Sequence, residues 1–179
     1  GNWPARGKAS EVISILSGMK SELGASAEIV SSKGCDFETA SEHEITEAVE
    51  LAGNSDVIVL CLGEKSMWSG ENCSRSSISL PAVQENLLTR IKSAGKPVVV
   101  LIASGRPVDL SRIEPLADAL VEIWMPGTTA GNAVAGILSG KYNPSGRLPM
   151  TFPYTTGQIP IYYNRRNSAR RGTQGLYKD

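Results

Sequence analysis

The chain has 179 residues, 41% of them hydrophobic and 20% charged, and its 18 basic and 18 acidic side chains cancel at neutral pH. That is enough polypeptide for one domain with a single core and too apolar for an intrinsically disordered segment. It contains no apolar run near the ~18 residues that cross a bilayer, so no membrane partner is expected. The neutral total hides an asymmetry: residues 1–122 carry 17 acids and 11 bases, residues 123–179 one acid and seven bases. Arg165, Arg166, Arg170 and Arg171 supply most of that basic tail. No nucleic-acid motif accompanies it, so a solvated segment or a seam against an acidic neighbour is the expectation. Cys35, Cys61 and Cys73 have no CxxC spacing and share the chain with one histidine, His43. No metal and no cofactor are therefore expected.

In chain order, residues 10–23 place Val12, Ile13, Leu16, Met19 and Leu23 three or four apart, which predicts a helix capped by Ser10 and stopped by Gly24. Residues 27–30 read as a short strand. Residues 41–52 repeat the helical pattern behind Ser41. Residues 56–62 form an unbroken apolar run, suited to a parallel strand covered on both faces, with Cys61 as a small core side chain. Pro81 opens a third helix through Val83, Leu87, Leu88 and Ile91, closed by Gly95. Residues 97–103 and 119–125 are further apolar strands. Thr128 or Thr129 caps a helix ending at Gly140, and a last strand is expected near residues 148–152. Strands alternating with helices imply βαβ units and a mainly parallel sheet. The expected architecture is a flavodoxin-like three-layer α/β/α sandwich.

The richest stretch for chemistry is the long loop after the strand at 56–62. In open α/β sheets ligands sit outside the carboxyl ends of strands, and a loop this long is more often functional than not. It holds Glu64, Met67, Trp68, Glu71 and Arg75. Trp68 can stack on a sugar face, widened by Met67, or fold back as a private core for the loop. Glu71 follows Gly70 and can project across a cleft; Glu64 is tied to a short Gly turn and is better placed to orient the loop. Arg75, four residues beyond Glu71, can pair with it and merely stiffen the loop. Gly127-Thr128-Thr129-Ala130-Gly131 before a helix resembles an anion site but lacks a P-loop lysine; tight packing is the preferred reading. His43, among acids, reads as a surface residue.

The motif Gly63-Glu64, then Ser69-Gly70-Glu71-Asn72, Ser74-Arg75 and Ser79-Leu80-Pro81, resembles the second α/β domain of glycoside hydrolase family 3. Gly105-Arg106-Pro107, Trp124-Met125-Pro126-Gly127-Thr128, Gly131-Asn132-Ala133, Asn143-Pro144-Ser145-Gly146-Arg147-Leu148-Pro149 and Gln158-Ile159-Pro160-Ile161-Tyr162-Tyr163-Asn164 extend the likeness in order. The resemblance implies residues 1–163 as the domain and 164–179 as a basic tail. It implies a β-glucosidase- or β-xylosidase-type retaining hydrolase whose nucleophile lies on an N-terminal (β/α)8 barrel of the same polypeptide. The acid/base glutamate would then come from here: Glu71 first, Glu64 as the alternative, with Trp68, Met67 and Arg75 against the oligosaccharide. It further implies an extracytoplasmic location and an inactive isolated domain. The alternative is a stand-alone flavodoxin-like module binding carbohydrate or nucleotide.

Overall fold

A computed structural model describes residues 7–164; the basic tail from Arg165 onward and Trp3 lie outside them. The first helix, α1, runs Ile15–Leu23, with Ser14 rather than Ser10 accepting a hydrogen bond from the Ser17 amide. Next come α2 (Glu42–Gly53), β1 (Ile58–Gly63), α3 (Ala82–Lys92), β2 (Val98–Ala103), β3 (Ala119–Glu122) and α4 (Ala130–Leu138). Single 3₁₀ turns lie at Ala9–Glu11, Ser66–Trp68, Glu114–Leu116 and Thr156–Gln158. Helix α2 starts on a full capping box, Ser41 and Glu44 each accepting the other's backbone amide, which satisfies two otherwise unpaired N–H groups.

The strands form one parallel sheet in the order β1-β2-β3, with Ile58 opposite Val98 and Val100 opposite Leu120. Strand side chains alternate between faces. One face carries Ile58, Leu60, Leu62, Val98, Val100 and Ile102, packed with Ile45 and Ala48 of α2 and Leu87, Leu88 and Ile91 of α3. Val108 and Ile113, on the connection between β2 and β3, close the same core. The other face buries Leu101, while Val134 and Ala135 of α4 are buried outside that first core. Helix α1 packs on α4. Helices thus lie on both faces, a three-layer α/β/α arrangement.

Four expectations need correction. The apolar stripe of α1 is not its packing face: Val12 and Leu16 are exposed and Gly18 is the buried residue. The helix meets α4 backbone to backbone, and a Cβ on Gly18 would overlap the Gly131 carbonyl. Residues 27–30 belong to no ladder, and residues 148–152 form no strand. Phe152 instead packs its ring on Trp124, centroids 5.8 Å apart. Cys61 is exposed, because it points to the sheet face that α4 does not reach beside β1. Cys35, Cys61 and Cys73 are all free thiols.

Candidate active site

The loop after β1 begins with a constraint on its backbone. Gly63 has φ +155°, and a Cβ there would run into the Ala103 carbonyl of β2, so only glycine lets the two strands stay together at this level. The next residue, Glu64, donates its amide to Ala103 O at 2.9 Å. Its side chain turns inward and keeps 1% of its surface exposed. Arg75 donates Nη1 to Oε1 at 2.9 Å, Ser69 donates Oγ to Oε2 at 3.2 Å, and Arg106 Nε lies 3.4 Å from Oε2. A buried carboxylate must be paired to stay ionised, and Glu64 has two guanidinium partners.

Arg106 comes from the carboxyl end of β2. Its Nη2 donates to the Trp68 carbonyl and lies 3.4 Å from both Ser69 Oγ and the Cys73 carbonyl. Ser69 lies against Gly105, where a Cβ would collide with it. The first half of the long loop is thus stitched to the β1 and β2 ends by one carboxylate and two arginines.

A third strand end adds Glu122. Its Oε1 accepts from the Trp124 amide at 2.8 Å and lies 3.1 Å from Ser104 Oγ, while Oε2 is buried with no partner among the described residues. Burial, with the Glu64 charge adding to it, raises the Glu122 pKa to about 7 against the two hydrogen bonds. Trp124 takes φ +51° to leave the strand.

The tip of the loop behaves differently. Gly70 (φ +125°) and Asn72 (φ +59°) flank Glu71 with left-handed backbone, and all three residues are exposed. Met67 is 81% exposed. The Trp68 ring is half-buried: Arg75 lies 4.6 Å and Lys65 5.2 Å from its centroid, and Phe37 meets it edge-on at 6.2 Å. A cavity of about 330 Å³ opens here, lined by Met67, Trp68, Asn72, Cys73 and Arg75 together with Glu38.

Arg75 is therefore engaged by Glu64 and Trp68, not by Glu71, which corrects the pairing suggested by their four-residue spacing. Part of the Trp68 ring serves the loop's own packing. The α4 N-terminus offers no open anion cradle, since the Gly131 amide donates to the Ile13 carbonyl at 3.0 Å and Ser14 presses on Gly131. Gly131 serves packing, between two helices rather than between strand and helix, while Gly127 takes φ +82° with nothing near its would-be Cβ. His43 is exposed. Sequence reasoning passed over two members of the cluster, Arg106 and Glu122. Each carried a signal: a charge at the carboxyl end of an apolar strand.

A three-layer α/β domain with a polar cluster gathered at the carboxyl ends of its parallel strands is a familiar architecture for ligand sites, and comparison with known proteins narrows the class. The profile of the glycosyl hydrolase family 3 C-terminal domain matches residues 1–179. The chain is 37% identical over 190 residues to a periplasmic β-glucosidase of Salmonella typhimurium, covering 95% of this chain and 25% of that protein. It is 36% identical to a β-xylosidase of Formosa agariphila, covering 93% and 23%. A β-glucosidase of Listeria innocua, solved in complex with glucose, superposes with a TM-score of 0.88 at 40% identity, over 97% of this chain and 24% of that one. The chain belongs to the glycosyl hydrolase family 3 C-terminal domain family. It spans about a quarter of the length of these relatives.

Proposed function

We propose that this chain is the second domain of a β-glycosidase that releases terminal β-linked sugars from oligosaccharides with retention of configuration, and that Glu71 is its acid/base. The observation that carries the choice of residue is the division of labour between the two loop glutamates. Glu64 is buried and held by two arginines, which closes it off from a substrate. Glu71 stands exposed between two left-handed residues that turn it outward.

In a retaining enzyme a carboxylate attacks the anomeric carbon while a second carboxyl group, about 5–5.5 Å away, protonates the departing oxygen. The nucleophile would come from an N-terminal (β/α)8 barrel of the same polypeptide. Glu71 would give its proton to the leaving oxygen, then accept one from the water that releases the sugar. Met67 and the free part of Trp68 would offer an apolar floor to the sugar ring. The Glu64–Arg75–Arg106 cluster would hold the loop in place. The extracytoplasmic location belongs to this reading, supported by a relative described as periplasmic.

The test uses the whole enzyme. Glu71→Ala is expected to slow glycosides with poor leaving groups far more than activated aryl glycosides, since only the former need a proton donor. Added azide is expected to restore part of the turnover, because it attacks the glycosyl-enzyme without base assistance. If Glu64→Ala shows this leaving-group dependence and Glu71→Ala does not, the assignment is reversed. If neither does, the proton donor lies outside this domain.

A further inference from the structure

Glu122 closes β3 opposite Ile102 of β2, and its carboxyl group has no part in the reaction described above. Its Oε1 meets the Trp124 amide at 2.8 Å and the Ser104 hydroxyl at 3.1 Å. Ser104 is fully buried, and its hydroxyl has a second acceptor, the Arg106 carbonyl at 2.8 Å. A serine hydroxyl carries one hydrogen. It serves either the Arg106 carbonyl or Glu122, and the charge on Glu122 decides which. Against a neutral carboxyl group, the nearer carbonyl keeps the hydrogen. A carboxylate makes hydrogen bonds roughly twice as strong as a neutral group does, so ionisation draws the hydrogen to Glu122.

The surroundings favour the neutral form. Oε2 is buried with no partner among the described residues, which costs a charged oxygen far more than a neutral one. Burial, and then repulsion from the Glu64 carboxylate at the end of β1, raises the pKa to about 7 against the bonds from Trp124 and Ser104. The other charges of the cluster are Arg106, at the end of β2, and Arg75, on the loop, and Glu64 engages both. Residues 123–138, which leave β3 and form α4, carry no charge.

The Ser104 hydrogen matters beyond its own bond, because Ser104-Gly105-Arg106 is the platform for the long loop. Ser69 and Met125 both lie against Gly105. Arg106 reaches from this turn to Glu64, to the Ser69 hydroxyl and to the carbonyls of Trp68 and Cys73. Trp68 and Cys73 bracket the tip that carries Glu71. We propose that Glu122 is a positioning residue for the acid/base, setting through the Ser104 hydroxyl whether the Arg106 turn, and with it the Glu71 loop, is held or released. The neutral acid leaves Ser104 bonded to Arg106 and holds the loop. The carboxylate takes that bond away, the turn slackens, and the proton donor loses its place. This inference rests on the reading of Glu71 as the acid/base.

The test compares the full-length enzyme with its Glu122→Gln and Ser104→Ala variants on an alkyl β-glucoside, whose poor leaving group needs the proton donor. With half-ionisation at about pH 7, the held form falls about tenfold between about pH 6 and about pH 8, and the wild-type kcat is expected to fall with it. Glutamine is a permanent neutral analogue, and in Ser104→Ala no hydroxyl can change partner. Each variant is expected to keep several-fold more of its activity across that range than the wild type does. The infrared C=O stretch of a neutral carboxylic acid is expected to fade over the same range in the wild type and to be missing from Glu122→Gln. A pH profile with the wild-type shape in either variant, whatever its height, would overturn the proposal. A band that does not change with pH would overturn it too. Failure of the Glu71 reading shows itself separately, as a Glu71→Ala enzyme without leaving-group dependence at fixed pH.

Discussion

Glu64 has almost no contact with water, and two guanidinium groups depend on it. Replacing it by Ala leaves Arg75 and Arg106 without the carboxylate they share. Breaking a buried pair from one side costs about 3–5 kcal/mol, so Glu64→Ala is expected to lower stability by about 3 kcal/mol, read as a lower denaturation midpoint. Glu71→Ala is expected to leave that midpoint unchanged. If both leave it unchanged, the cluster is not what holds the loop. Glu122 supplies a pH dependence of its own. Its pKa in the fold is raised to about 7, above the ordinary 4.5, so the folded state holds a proton that the unfolded state releases first. Below about pH 4.5 both states are protonated and the group contributes nothing; stability then falls as pH rises to about 7, and levels off above it. For a half-buried group, with solvent screening allowed for, the fall is on the order of 1–2 kcal/mol. Glu122→Gln is expected to flatten that part of the stability profile; an unchanged slope would assign the dependence to another group.

At the scale of the elements, glycine decides which surfaces meet. A methyl group on Gly18 would overlap the Gly131 carbonyl, and overpacking of this kind costs about 1–3 kcal/mol. Gly53, at the end of α2, has nothing within 4 Å of its would-be Cβ and no positive φ. Gly53→Ala is therefore expected to stabilise by about 0.4–1 kcal/mol, chiefly by narrowing the unfolded ensemble, while Gly18→Ala destabilises. Equal effects in thermal unfolding would mean that α1 and α4 do not pack through their backbones. These glycines also explain what the sequence made legible. β1, β2 and β3 stood out as apolar runs, and α2 and α3 showed their buried stripes, because side chains make those contacts. The packing face of α1 did not, because a face made of backbone leaves no hydrophobic period to read. Residues 27–30 looked like a strand, yet they join no ladder among the described residues. The Glu64–Arg75 pair was hidden for a different reason: four-residue spacing drew Arg75 to Glu71, while a guanidinium from the end of β2, far along the chain, completes the actual cluster.

For the whole molecule, the proposed function makes this domain's site half of a site. Glu71 is exposed at the loop tip, whereas Glu64 is buried and Glu122 partly buried. Covalent glycoside hydrolysis needs a nucleophile on the opposite side of the sugar. The 179-residue chain by itself is therefore expected to release no phenol from aryl β-glucosides. Turnover by the pure chain that disappears in Glu71→Ala would mean that a nucleophile is present within these residues.

The contact between α1 and α4 has a kinetic side. Leu23 ends one helix and Ala130 begins the other, so the glycine crossing closes a circuit of about a hundred residues, whereas α2, β1, α3 and β2 follow one another directly. The entropy lost in closing a loop grows with its length, and contacts distant in sequence slow folding when they must form early. The economical order is for the sheet and its α2–α3 layer to condense first, and for α1 to be captured against α4 last. Destabilisation by Gly18→Ala would then appear almost wholly as faster unfolding with an unaltered refolding rate, the signature of an interaction absent from the transition state. Helix α1 would be the last to find its place and the first to let go.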